Sequence, residues 1–178
     1  CDLTNLKHLV INKGGLKTVN FDNDSILSNL ESLDLSGNYL LALSFFQPLN
    51  LIELSLSENK NLNLTPNMFS GLNRLEILKL RAIKLDTSAR PIDPTVFKGL
   101  DNLRILDLSR NSVQSIDPSV FSYTPKLERL DLSNNQLSNL NNEIFRHLVN
   151  IKYLNLGFNK IRSIEIPTFA YLENIETL

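Results

Sequence analysis

The chain is poor in the residues that carry chemistry, and each scarcity closes off a class of function. A single cysteine, Cys1, cannot define a disulfide framework. Two histidines far apart in the sequence, His8 and His147, exclude the usual zinc spacings. The one paired glycine, Gly14-Gly15, runs into Leu16 and lacks the rest of a phosphate-binding loop. Serine, histidine and aspartate are all present, but no nucleophile has a base at a plausible spacing. No apolar run approaches the roughly 18 residues that a membrane crossing needs. With 18 lysines and arginines against 19 aspartates and glutamates, the net charge of −1 asks for neither nucleic acid nor an anionic membrane surface. There is no low-complexity tract and no flexible linker. The expectation is a non-enzyme that holds no cofactor and no metal.

What the chain has in abundance is leucine in register. The pattern Leu-x-x-Leu-x-Leu-x-x-Asn-x-Leu recurs along its whole length, and aligned on the second leucine the copies fall at Leu9, Leu33, Leu54, Leu78, Leu106, Leu130, Leu154 and Leu178. The steps are 24, 21, 24, 28, 24, 24 and 24 residues. In the best copy Leu130 and Leu132 stand two apart, so in a strand both face inward while Arg129, Asp131 and Ser133 face out. One such strand per turn stacks into a parallel sheet, because no single copy can bury its leucines alone.

Asparagine fills the next slot at Asn38, Asn59, Asn111, Asn135 and Asn159. There the chain leaves the strand with inward-facing backbone N–H and C=O groups, which a buried amide can satisfy from both sides. Gly14 and Ile83 occupy the slot in the first and fourth copies, and internal Ile83 suggests an altered turn. Five residues past the slot comes an apolar side chain: Val19, Leu43, Leu64, Ile116, Leu140 or Ile164. Phe69, Phe121, Phe145 and Phe169 sit ten past it. Phe97 takes the same place, displaced by a four-residue insertion, and Phe45 is assigned the role in the short copy. These phenylalanines should stack as an aromatic spine along the outer wall.

A period in this range with this pattern is the leucine-rich repeat signature. The expected fold is an α/β-type leucine-rich repeat solenoid, a curved right-handed coil. One short parallel strand per repeat lines the concave face, with irregular, 3-10 or short helical turns on the convex face. Residues 1–178 read as a single domain of about seven repeats plus the start of an eighth. A beginning at Cys1 without methionine, and a close midway through a strand, suggest a piece of a longer protein whose membrane attachment, if any, lies elsewhere. Two triplets, Asn23-Asp24-Ser25 and Asn63-Leu64-Thr65, are N-glycosylation acceptors should the chain be secreted.

Stretches such as Pro66-Asn67-Met68-Phe69-Ser70-Gly71-Leu72 and Pro94-Thr95-Val96-Phe97-Lys98-Gly99-Leu100 resemble the "typical" repeat of animal extracellular proteins. The resemblance covers almost the whole chain, and the uneven steps resemble Toll and Toll-like receptor ectodomains most. It implies an extracellular or cell-surface location, N-glycosylation, and binding of a protein or microbial ligand on the concave or lateral face. A homodimer of the full-length protein is possible on the same ground. A chaoptin-like or neuronal adhesion protein is the alternative, and an intracellular scaffold the third reading.

The outward strand slots name the candidate contacts. The fourth copy offers Ile77, Lys79 and Arg81, the fifth Ile105, Asp107 and Arg110, the sixth Arg129 and Asp131, and the seventh Tyr153, Asn155 and Phe158. Arginine and aromatic residues among apolar ones are the types enriched at interface hot spots, which makes Tyr153 and Phe158 the leading anchors. Asp34, Asp107 and Asp131 recur within Leu-Asp-Leu-Ser as the repeat's default filling, with too few hard oxygen ligands for a cation site.

Overall fold

The computed structural model describes residues 3–19, 27–43, 50–88 and 90–178. Seven three-residue strands run through them: β1 (His8–Val10), β2 (Ser32–Asp34), β3 (Glu53–Ser55), β4 (Ile77–Lys79), β5 (Ile105–Asp107), β6 (Arg129–Asp131) and β7 (Tyr153–Asn155). They form one parallel sheet in sequence order. The aligned leucines pair from Leu9 through Leu33, Leu54, Leu78, Leu106 and Leu130 to Leu154. The short and long repeats therefore leave strand register intact, and the missing or extra residues are absorbed in the return half. A bridge between Tyr153 and Thr177 continues the sheet past β7.

The leucines that flank each outward slot form the core. Leu33 and Leu35, Leu54 and Leu56, Leu78 and Leu80, and Leu130 and Leu132 are all fully buried. On the opposite wall, 3-10 turns span Pro94–Phe97, Pro118–Phe121 and Ile166–Phe169. Proline early in each turn presets its φ. Asp93 and Asp117 cap two of these turns by accepting the Thr95 and Ser119 N–H groups, each at 2.8 Å. Phe69, Phe97, Phe121 and Phe145 are fully buried behind them. Phe69 stacks on Phe97 with centroids 6.3 Å apart, and Phe145 on Phe169 at 6.1 Å, so the insertion in the fourth repeat does not break the spine. Phe45 and Asn23 lie outside the described residues.

The inner apolar column is buried at Leu43, Ile116 and Leu140, half-buried at Val19 and Leu64, and half exposed at Ile164. Ile164 lies in the last full turn, beside the open cleft that Phe158, Ile161 and Phe169 also line at that end of the stack.

The slot asparagines join the turns. Each Nδ2 donates to a carbonyl of its own repeat and to the equivalent carbonyl of the preceding one, at 2.7–3.0 Å. Asn135, for example, donates to Leu132 and Leu108 and accepts the Val113 N–H at 3.0 Å. Where the slot lacks asparagine the turn changes. Gly15 and Lys84, the residues after Gly14 and Ile83, both adopt positive φ (80° and 60°). In consequence two N–H groups, rather than one, reach the amide oxygen of the next repeat: Gly14 and Leu16 to Asn38, and Ile83 and Leu85 to Asn111. Glycine takes that conformation at no steric cost, whereas Lys84 carries strain.

The long fourth repeat is tied down on both sides. Asp86 bridges to Ser112, and buried Thr87 accepts the Gln114 N–H at 2.8 Å through its hydroxyl. On the other side Arg90 donates to Asn63 Oδ1 at 3.3 Å.

Candidate partner-binding surface

Because register is unbroken, the outward side chains of β4–β7 fall into two columns. Ile77, Ile105, Arg129 and Tyr153 are consecutive partners in one, and Lys79, Asp107, Asp131 and Asn155 in the other. Adjacent strands lie about 4.8 Å apart, so the eight side chains share one continuous face. Arg81, Arg110 and Phe158 stand just past the strands at the rim of that face. Arg110 and Phe158 occupy the same left-handed turn position (φ 55° and 57°), and Phe158 is 85% exposed.

The two columns have different chemistry. In the first, the Arg129 guanidinium lies 4.3 Å from the Tyr153 ring centre, a cation–π contact that holds a flat, half-buried aromatic in place. Ile77 and Ile105 extend it as a half-buried apolar step, with a cleft of about 140 Å³ running between Glu76, Arg104 and Glu128 on its flank. In the second column the acids are engaged internally. Asp107 and Asp131 each accept a backbone N–H two residues on, from Ser109 and Ser133 at 2.8 Å, and Asn155 does the same for Gly157 at 3.0 Å. Asn155 also donates to Asp131 at 3.3 Å. Asp34, in β2, has its own set of partners: burial raises its pKa, but hydrogen bonds from Ser36, Asn12 and Ser55 outweigh this and hold it below the ordinary carboxylate value. Lys79 is paired with Glu53 at 2.6 Å. The Ile77–Tyr153 column and the rim therefore hold the side chains that are least engaged with their own backbone.

One set of positioning residues escapes the repeat pattern as first read. Four residues before the aligned leucine, Asn29, Asn50, Asn102, Asn150 and Asn174 each donate a side-chain N–H to a carbonyl of the preceding repeat, at 2.7–2.8 Å. The signal is periodic, but Arg74 and Lys126 occupy the position in the fourth and sixth copies and obscure it. On the same side Lys7 pairs with Glu31 at 2.9 Å, and Glu128 with Arg104 at 2.5 Å and Lys152 at 3.1 Å. The hydrogen bond from Lys7 lowers the Glu31 pKa, and the one from Lys152 lowers that of Glu128. Among the described residues no three histidine, cysteine or acidic side chains are grouped to hold a metal ion. Exposed His8 lies in β1, and His147 accepts the Arg146 Nε–H at 3.0 Å.

The family description Leucine rich repeat matches residues 87–137 and 125–178, and a second Leucine Rich Repeat description matches residues 29–49. The chain is a leucine-rich repeat protein. Keratocan of Danio rerio is 32% identical over 114 residues, which are 63% of this chain and 32% of keratocan. Toll-like receptor 3 of Homo sapiens is 40% identical over 112 residues, 59% of this chain and 12% of the receptor. Among solved structures, the Toll–Spatzle complex of Drosophila superposes with a TM-score of 0.82 at 25% identity, covering 97% of this chain and 23% of the other. A TLR13–ssRNA13 complex gives 0.81 at 30% identity, covering 96% and 24%. This leucine-rich repeat protein is thus related to Toll-like receptors and to matrix proteins such as keratocan and podocan, and it spans only a minor part of each.

Proposed function

We propose that this chain is a non-catalytic ligand-recognition solenoid of a secreted or cell-surface protein, akin to a Toll-like receptor ectodomain. It binds a protein or microbial ligand on the sheet face of β4–β7. The observation that carries the reading is the column Ile77, Ile105, Arg129 and Tyr153, where an apolar step meets an arginine-braced aromatic on a scaffold of fixed register. Such preordered aromatic and arginine side chains supply most interface energy at low entropic cost. Lys79, Arg81, Asp107, Arg110, Asp131, Asn155 and Phe158 form the polar and aromatic surround.

N-glycosylation at Asn63 fits the same setting. Arg90 holds the Asn63 amide by its oxygen, while the nitrogen that would carry a glycan has no protein partner among the described residues. Asn23 is the second proposed acceptor. The likeness to keratocan and podocan favours one other reading, adhesion to matrix or to another copy through the same face.

The test is a binding screen of the immobilised chain against extracellular proteins and microbial ligands. A ligand of this face loses at least tenfold in affinity on combined Arg129→Ala and Tyr153→Ala substitution. It is indifferent to Lys98→Ala on the opposite wall. Ligands that bind both variants equally would remove the sheet face from the account.

A further inference from the structure

The charges of the molecule are sorted by edge. The trailing edge of the sheet comprises the residues three to eight past each aligned leucine: 12–17, 36–41, 57–62, 81–86, 109–114, 133–138 and 157–162. It holds Lys13, Lys17, Lys60, Arg81, Lys84, Arg110, Lys160 and Arg162, eight of the 18 basic residues in the chain. It holds only Glu58 and Asp86 of the 19 acids. All eight cations except half-buried Arg81 are exposed, and none belongs to an ion pair among the described residues. Arg90, in the fourth-repeat insertion, adds a ninth exposed cation; it donates to Asn63 and forms no ion pair among the described residues, although Asp93 lies within its electrostatic reach. A chain of net charge −1 thus carries an uncompensated cationic strip along one side.

We infer that this strip binds a linear sulfated polysaccharide. Cations spread over five of the seven repeats, rather than gathered in a pocket, match a polymer whose anionic groups recur along its length. The densest stretch is Lys60, Arg81, Lys84, Arg90 and Arg110 on three consecutive repeats, and residues 57–62, 81–90 and 109–114 contain no aromatic side chain. The strip's exposed aromatics, Tyr39 and Phe158, stand in the second and seventh repeats. They are too far apart to form the continuous stacking platform on which single-stranded nucleic acids are held, so recognition in the densest stretch rests on charge. The strip shares Arg81 and Arg110 with the rim of the sheet face, and its test therefore rests on other residues. Lys60 and Lys84 lie outside the β4–β7 patch, so either reading can fail alone.

Heparin is the probe, titrated onto the 178-residue chain over a series of NaCl concentrations. Binding at physiological salt is expected, with no binding of desulfated heparin. Combined Lys60→Glu and Lys84→Glu substitution is expected to weaken it at least tenfold and to lower the slope of log Kd against log salt by about two. Arg74→Glu with Lys126→Glu makes the same charge change on the opposite edge, and its effect should stay below about twofold because salt screens remote charges. Lys60→Ala with Lys84→Ala, checked by circular dichroism, gives the same ranking should charge reversal perturb the fold. Equal weakening by both edges, or no heparin binding by the parent chain, overturns the assignment. So does a single-stranded RNA of equal charge that binds tenfold more tightly than heparin, since it would make the strip a nucleic-acid surface.

Discussion

The two edges of the sheet solve the same problem with opposite chemistry. Along the leading edge, where chain runs into each strand, repeats are joined on the surface. Asn29, Asn50, Asn102, Asn150 and Asn174 reach back one turn, and Lys7–Glu31 and Arg104–Glu128–Lys152 alternate charge from repeat to repeat. Along the trailing edge the joining is done inside, by slot amides such as Asn59 and Asn135 that are almost wholly buried. Surface cations there form no ion pairs among the described residues, although Lys160 donates to Gln136 of the preceding repeat at 2.9 Å. The contrast shows that the location of cohesion, as much as the residues present, decides which surface charges are left without ion pairs.

The largest expected effect breaks the inner ladder. Asn135→Leu removes one accepted and three donated hydrogen bonds in a buried site, and should lower unfolding free energy by about 3 kcal/mol. Asn150→Leu on the leading edge loses one exposed bond to Pro125 O and should cost under about 1 kcal/mol. Urea denaturation of the two variants compares the edges directly, and equal losses would erase the distinction.

Acid should act next. Glu31, Asp34, Asp93, Asp117 and Glu128 all have pKa values below their ordinary ones in the fold. The folded chain therefore takes up protons less readily than the unfolded chain. The stability these groups contribute is complete above their unfolded pKa and fades as pH falls through about 4 and below. A melting temperature that rose on acidification from pH 5 to pH 3 would contradict the assignment. A smaller gain is expected from Lys84→Gly, which relieves the left-handed conformation forced where Ile83 replaces asparagine. It should stabilise by about 0.5 kcal/mol, seen as a higher urea midpoint. The smallest effect belongs to Glu128→Gln, which unpairs Arg104 and Lys152 in solvent. Its slight loss in melting temperature should vanish in 1 M salt, on the order of a 3 Å screening length.

Much of this architecture is written in spacing. The leucine alignment gives the register of all seven strands, since a one-residue slip would turn Leu130 and Leu132 out to solvent. The phenylalanine spacing gives the outer stack, including the displaced Phe97. The site is less legible. Asp107 and Asp131 look like paired contact residues in sequence, yet each is turned onto its own backbone, a local hydrogen bond that periodicity does not report. Leu64 and Ile164 carry the core pattern without full burial, a difference that periodicity alone does not report. The charge asymmetry between edges stays hidden in a net charge of −1 until the columns are assigned.

The central claim, that a partner meets the sheet face of β4–β7, is open to a direct steric test. Asp131→Asn gives the acceptor triplet Asn-Leu-Ser over 131–133, on that face, and asparagine can keep the turn as Asn155 does next door. Ser122→Asn gives Asn-Tyr-Thr over 122–124 just past the 3-10 turn on the opposite wall. Both variants would be secreted from mammalian cells, checked for glycan occupancy, and titrated with a ligand recovered from the screen. The account predicts that the glycan at position 131 abolishes binding and the one at 122 leaves it intact. Binding that survives the first and is lost with the second would place recognition on the outer wall and contradict it.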